Sequence, residues 1–125
     1  MWEEVSTAKS GNRRELVLQG EALSRQYVRN KEVDPHLFGL TNLNFLDLSS
    51  CPEMDKIPND VGKLTNLTTL IMSRNSITEI PGAALLKLQK LKVLNLASNQ
   101  IGACPPEVRY DSSDCARMAQ CDVEN

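Results

Sequence analysis

Histidine is nearly absent from this chain of 125 residues, which contains only His36. A single histidine is too few for a histidine-built metal site or a Ser-His-Asp triad within the chain. The motifs of phosphate-binding loops, dinucleotide-binding turns, zinc proteases and serine hydrolases are also missing, and no paired C-x-x-C occurs. We therefore predict a protein that is not an enzyme and uses neither a metal nor a cofactor, with His36 in a solvated loop beside Pro35.

Charge and hydrophobicity are not concentrated in any one segment. The 14 Lys and Arg residues and 16 Asp and Glu residues give a net charge of -2, and the two signs are interleaved. A protein that binds phosphate backbones needs clustered Lys and Arg, so this pattern disfavours nucleic-acid binding driven by charge. The chain also lacks the run of about 18 apolar residues that a membrane-spanning helix requires.

The first residues do not have the pattern of an export signal. Glu3 and Glu4 stand where basic residues are needed, and no apolar stretch follows them. We therefore expect a cytoplasmic location, where thiols stay reduced. Under these conditions we expect no structural disulfide among the four cysteines, which are Cys51, Cys104, Cys115 and Cys121.

The most informative feature is an internal repeat with a period of 24 residues. Apolar residues recur in four columns and Cys or Asn in a fifth: Leu40, Leu64, Leu88; Leu43, Leu67, Leu91; Leu46, Leu70, Leu94; Leu48, Met72, Leu96; and Cys51, Asn75, Asn99. Each unit therefore follows the order L-x-x-L-x-x-L-x-L-x-x-N/C, which resembles the leucine-rich-repeat pattern. The alternating apolar pair in each unit predicts a short strand.

These repeats predict an α/β fold, namely a leucine-rich-repeat solenoid. We expect a short parallel β-sheet on the concave face and an irregular, 3-10 or helical convex side. The pattern predicts three repeats, at residues 40–63, 64–87 and 88–108. The Ile-Pro pairs, such as Ile57-Pro58, suit the convex limb because proline has no N–H to donate to a sheet.

Residues 1–39 are predicted to form an N-terminal capping region with a degenerate repeat. Leu16-Val17-Leu18 has the pattern of a strand, but the following turn is 30 residues long. We assign the extra length to an insertion at Ser24 to Val33, as a short helix with Tyr27 and Val28 facing inward. Trp2 and Val5 are three residues apart and are expected to cover the open end of the solenoid.

Residues 109–125 do not continue the repeat. Its core positions there would fall on charged residues such as Asp111, Asp114 and Arg117. We predict a polar, disordered tail, which would leave Leu91, Leu94 and Leu96 without a covering turn. A solenoid needs a capped end to stay soluble. The hypothesis is therefore a short or truncated form of a longer repeat protein, which could self-associate through this end.

Two sets of residues are predicted to have defined roles. Cys51, Asn75 and Asn99 should form a structural ladder that satisfies backbone groups where each strand ends. The residues between the buried leucines should face outward on the concave sheet, as a partner-binding site: Phe45, Asp47, Thr69, Ile71, Arg74, Val93 and Asn95. Exposed apolar side chains with a polar rim resemble a protein-binding hot spot. The alternative is that a short solenoid exposes a few apolar residues without any function.

The N-terminal part also resembles the animal family of leucine-rich repeat-containing protein 47. The resemblance lies in Arg13-Arg14-Glu15-Leu16, Leu18, Gly20, Leu23, Pro35, Leu37-Phe38, Leu40, Leu43, Leu46, Ser49 and Cys51. That family continues into further repeats and a domain shared with the beta subunit of phenylalanyl-tRNA synthetase, which implies an association with RNA or translation. Two functions therefore remain open: a protein-protein interaction module with a partner on its concave face, and an accessory protein that associates with RNA or tRNA.

Overall fold

The structure, a computed structural model, describes residues 2–101 and 120–123. Five parallel strands form one sheet in the order β1-β2-β3-β4-β5. The elements are α1 (Glu3–Ser10), β1 (Glu15–Val17), α2 (Gly20–Asn30), β2 (Phe45–Asp47), β3 (Thr69–Ile71), α3 (Gly82–Leu86), β4 (Val93–Ile101) and β5 (Gln120–Val123). Two 3-10 helices, Pro35–Gly39 and Asn59–Lys63, precede β2 and β3. The predicted solenoid, with its mixed convex side, is confirmed.

Strand register follows the spacing of the leucines. Leu46 pairs with Leu70, and Leu70 with Leu94, so each step across the sheet uses one 24-residue unit. Leu16 pairs with Leu46, which makes the first step longer. Because the side chains of a strand alternate between faces, one register places all four leucines on the core side. The three leucines of the regular repeats have no exposed surface.

A residue in the left-handed backbone region recurs two positions after the inward side chains Leu18, Leu48, Met72 and Leu96. Ser50, Arg74 and Ser98 have φ values of 62°, 59° and 60°, and Gly20 has 61° at the equivalent point of the first turn. The N–H of Ser50 donates to the carbonyl of Ser73 at 2.9 Å, and that of Arg74 donates to Ala97 at 3.0 Å. The sheet hydrogen bonds therefore continue through the bend. The left-handed conformation costs a non-glycine residue about 1–2 kcal/mol.

The N-terminal helix packs on the first strand, since α1 contacts β1. Trp2, which precedes α1, and Val5, which lies within it, are both buried, and their capping role stays a prediction. The helix of the long first turn, α2, begins at Gly20, earlier than the predicted insertion, and ends at Asn30. Tyr27 is buried as expected, but the inward orientation predicted for Val28 is wrong, because this side chain is 54% exposed. Successive helical residues point about 100° apart, so both could not face the core.

The C-terminal part differs from the expected tail in one respect. Gln120–Val123 form β5, and its residues Gln120 and Cys121 pair with Asn95 and Leu96 of β4. Leu91, Leu94 and Leu96 are buried, so the expectation that they would be uncovered is wrong. The strand β5 pairs with β4 and so adds a further strand beyond it. Residues 102–119 and 124–125, which include Cys104 and Cys115, lie outside the described part.

Candidate interaction surface

The concave face of the sheet is built from the alternate residues that point away from the core. Three rows cross the four strand segments: Glu15, Phe45, Thr69, Val93; then Val17, Asp47, Ile71, Asn95; then Gln19, Ser49, Ser73, Ala97. The first two rows are paired residue by residue in the sheet register. Neighbouring side chains in a row are therefore about 4.8 Å apart, the ordinary spacing of strands.

Four apolar side chains on this face retain contact with solvent. Val17 is 54% exposed and Val93 is 39% exposed, whereas Phe45 and Ile71 are half-buried. They lie on four successive strands, so they form a band across the sheet, on the side opposite to the leucine core. Phe45, Ile71 and Val93 were predicted as site residues from the sequence. Val17 joins them because it pairs with Asp47 in the sheet and lies on the same face.

The structure corrects the role predicted for Asp47. This residue was expected on an exposed rim, but it is only 6% exposed. Its carboxylate accepts hydrogen bonds from the side-chain amide of Gln19 and the hydroxyl of Ser49. The hydroxyl of Ser73 in turn donates to that of Ser49 at 3.3 Å. Gln19 and Ser49 of the third row therefore hold Asp47 in place, a role that the sequence did not predict.

The remaining predicted site residues lie around this band. Thr69 and Asn95 are half-buried, and Arg74 is exposed where the third turn leaves β3. The side-chain oxygen of Asn95 accepts the backbone N–H of Ala97 at 3.1 Å, so this amide is partly committed within the fold. Arg74 therefore places a cation at the edge of the surface.

The ladder residues lie at the end of the strands and out of reach of a partner. Asn75 accepts the N–H of Cys51 at 2.8 Å and donates to the carbonyl oxygens of Leu48 and Met72. Asn99 donates to Met72 and Leu96 in the same way, and accepts the N–H of Ile77 at 3.0 Å. Their buried side chains thus satisfy backbone groups of consecutive turns.

Cys51 does not have the features of a reactive thiol. It is a free, buried cysteine whose pKa is raised, first by burial and then by the nearby Glu53 carboxylate. A raised pKa reduces the thiolate fraction, and the thiolate is the nucleophile. Tyr27, whose pKa is also raised by burial and by Asp55, packs in the same region. These groups fasten α2 to the first repeat and are not directed at the concave face.

The structure contains neither a metal-type cluster nor a membrane-type helix in the part that it describes. No group of three or more His, Cys, Asp and Glu residues there is arranged to hold a metal ion. Among the same residues, no helix is long and apolar enough to cross a bilayer. His36 is exposed, and its ring nitrogen Nδ1 lies 2.8 Å from Asp34.

A parallel sheet with one strand for each 24-residue unit and an Asn ladder at the strand ends defines a leucine-rich-repeat solenoid. Two family models match the chain, "Leucine Rich Repeat" at residues 42–64 and "Leucine Rich repeats (2 copies)" at residues 65–106. Together they cover 65 of the 125 residues. The chain belongs to the leucine-rich-repeat superfamily.

Relatives with this pattern come from animals and plants. The chain is 36% identical over 77 residues to a zebrafish (Danio rerio) leucine-rich repeat and fibronectin type III domain-containing protein 1-like protein, covering 60% of this chain and 11% of that one. It is 34% identical over 79 residues to lumican of Rattus norvegicus, covering 63% and 22%. It is 33% identical over 89 residues to TMV resistance protein N of Nicotiana glutinosa, covering 67% and 8%. The matched part is thus less than a quarter of each relative.

Two solved structures have a similar fold. A leucine-rich-repeat protein of Leptospira interrogans superposes with a TM-score of 0.56 at 30% identity, covering 61% of this chain and 19% of that one. Internalin C2 of Listeria monocytogenes gives a TM-score of 0.51 at 28% identity, covering 63% and 33%. Leucine-rich repeats are generally non-catalytic modules that bind proteins on an extended curved surface. The narrower resemblance of the N-terminal part stays a prediction.

Proposed function

We propose that this chain is a non-catalytic protein-interaction module that binds a protein partner through its concave face. The observation that carries the proposal is the band of Val17, Phe45, Ile71 and Val93 across four strands. All four side chains reach solvent, Val17 and Val93 the most, although they are apolar and lie on the face opposite to the leucine core. Apolar groups enclosed by a polar rim are the usual anchors of protein interfaces.

The charges of this surface favour a protein over a nucleic acid. Its twelve positions include the carboxylates of Glu15 and Asp47 and no Lys or Arg, and the cations next to it in sequence, Arg14, Arg74 and Lys92, are single residues at the ends of three different strands. Binding to a phosphate backbone requires several cations on one surface. An acidic and apolar surface would repel that backbone, so a protein is the better partner.

The test is affinity capture from lysate with the double variant Phe45→Glu and Ile71→Arg. Both changes place a charge within the apolar band while leaving the net charge of the protein unchanged. The matched control is Leu86→Glu with Val28→Arg, since these side chains are 49% and 54% exposed and lie on α3 and α2, away from the concave face. We expect the first variant to lose the captured partner and the control to retain it, with both melting within a few degrees of the wild type.

Three outcomes would reject the proposal. The first is a partner captured equally by both double variants, because binding would then lie elsewhere. The second is a loss of capture that is matched by a loss of folding, which would make Phe45 and Ile71 structural. The third is capture that disappears on nuclease treatment and falls steeply with salt, which would indicate binding to RNA.

A further inference from the structure

Asp47 occupies an unusual place for a carboxylate. It lies in one row between Val17 of β1 and Ile71 of β3, and Phe45 precedes it on the same face of β2. Three apolar side chains therefore surround it, and it is 6% exposed. A carboxylate in such surroundings loses much of its hydration, which is costly unless a cation or several hydrogen bonds compensate.

The described residues provide no cation for this carboxylate. The ion pairs in that part of the chain are His36 with Asp34 and Lys63 with Asp60, and neither involves Asp47. Its hydrogen bonds come from neutral groups, the Gln19 amide and the Ser49 hydroxyl. A carboxylate has about four acceptor positions, so these two bonds leave capacity for further donors.

The surroundings of Asp47 also suit a cation from outside. Glu15 lies diagonally across the sheet on the same face, so a second carboxylate faces the same surface. Gln19, which covers the carboxylate from the first turn, is an exposed side chain that can rotate away without disturbing the sheet. Apolar neighbours would then exclude water from the new ion pair, which strengthens a charge-assisted hydrogen bond.

We propose that the partner on the concave face is an extended protein segment that places a Lys or Arg on Asp47, with apolar side chains on either side of that cation packing against Val17, Phe45 and Ile71. The inference rests on the proposed function and adds the chemistry of the partner. Asp47 is the anchor for charge, and the apolar band supplies the surrounding contact. Ser49 is a positioning residue, because its hydroxyl holds the carboxylate, whereas Gln19 covers the carboxylate until the partner's cation replaces it.

The experiment is selection from a random peptide display library on the immobilised full chain. Asp47→Asn keeps the shape and removes the charge, and its one amide oxygen can still accept from either Gln19 or Ser49. Asp60→Asn is the matched control, because Asp60 is exposed on the convex side and paired only with Lys63. We expect peptides selected on the wild type and on Asp60→Asn to be enriched in Lys or Arg beside apolar residues. On Asp47→Asn this enrichment should disappear.

A second measurement changes the peptide's cation to identify which carboxylate of the protein it contacts. The best wild-type peptide is resynthesised with norleucine at its Lys or Arg position, which removes the charged group and keeps an unbranched four-carbon side chain. Affinity should fall about tenfold or more on the wild type and on Glu15→Gln, as expected for a desolvated charge pair. On Asp47→Asn the same replacement should change affinity by less than about threefold. The two variants together form a double-mutant cycle, which measures the interaction between Asp47 and the peptide's cation.

The outcomes separate this inference from the proposed function. Selected peptides that bind the concave face without any cation enrichment, or with the same enrichment on Asp47→Asn, overturn the inference and leave the proposed function intact. A norleucine effect that vanishes in Glu15→Gln also overturns it, because the cation would then contact Glu15. Peptides whose binding survives Phe45→Glu with Ile71→Arg overturn the proposed function itself.

Discussion

Asn75 accepts the backbone N–H of Cys51, one repeat earlier, at 2.8 Å. The side-chain amide of Asn75 also donates to the carbonyl oxygens of Leu48 at 2.9 Å and Met72 at 3.0 Å. One buried side chain thus satisfies three backbone groups on two consecutive turns. This relationship explains why an amide occupies a position next to an otherwise apolar core.

Asn75→Ala should strongly destabilise the protein. Two buried carbonyl oxygens and one N–H would lose their partner, and each such loss costs about 1–3 kcal/mol. We expect the free energy of unfolding, measured by urea denaturation, to fall by about 3–5 kcal/mol. Asn59→Ala, at an exposed position, is the control and should stay within about 0.5 kcal/mol of the wild type. Equal stabilities for the two variants would contradict the ladder.

Ser50→Gly should stabilise the protein, and Ser50→Val should destabilise it. Ser50 has a φ of 62°, a region that glycine adopts freely and a β-branched residue resists. The gain for glycine should be about 0.5–1 kcal/mol, because relief of backbone strain exceeds the added entropy of the unfolded chain. Thermal unfolding of both variants checks the order. A valine variant as stable as the glycine variant would show that the bend does not need this conformation.

Acid should destabilise the protein partly through Asp34. Burial alone would raise the pKa of Asp34, but hydrogen bonds from the N–H groups of Trp2 and His36 and from the His36 ring outweigh it, so this pKa is lowered. The ionised carboxylate therefore contributes stability above the unfolded pKa of about 3.9, and this contribution disappears as pH falls through the folded pKa.

The variant Asp34→Asn tests this pH dependence. It should be less stable than the wild type at neutral pH, and its melting temperature should fall less between about pH 5 and pH 2. Melting curves across that range provide the measurement. Parallel curves for the wild type and Asp34→Asn, with a constant separation at every pH, would show that the ionisation of Asp34 is not coupled to folding.

Leu70 and Ile71 are neighbours in β3 but should respond differently to truncation. Leu70 is fully buried, so Leu70→Ala leaves a cavity and should cost about 2–5 kcal/mol. Ile71 is half-buried on the concave face, and Ile71→Ala should cost less than about 1.5 kcal/mol. Equilibrium unfolding of the two variants gives the comparison. A larger loss for Ile71 would mean that the concave face is part of the core.

The repeat pattern predicted the fold because the same residue spacing recurs in three consecutive units of the chain. The 24-residue spacing determined the strand pairing of Leu46, Leu70 and Leu94 and therefore which residues face outward. The Asn ladder followed from the same spacing, since amides were needed where each strand ends. These features depend on distances along the chain, which a sequence contains directly.

The predictions for Asp47, Val28 and the C-terminal segment were wrong because contacts between different turns determine the structure there. The burial of Asp47 depends on Gln19, a residue 28 positions earlier in an irregular turn, and nothing in the repeat predicts that hydrogen bond. Val28 faces solvent because the start and rotation of α2 are determined by packing on the first repeat. The strand β5 lies in a segment without the leucine pattern, so only its pairing with β4 defines it.

Site-specific photo-crosslinking tests most directly whether the partner lies on the concave face. Benzoylphenylalanine at Phe45 should give a discrete crosslinked protein, and the product should disappear when Ile71→Arg is added. The same photo-reactive residue at Leu86, which is 49% exposed on α3, should not crosslink that protein. A partner that crosslinks from Leu86 and not from Phe45 would show that the binding site is not on the concave face.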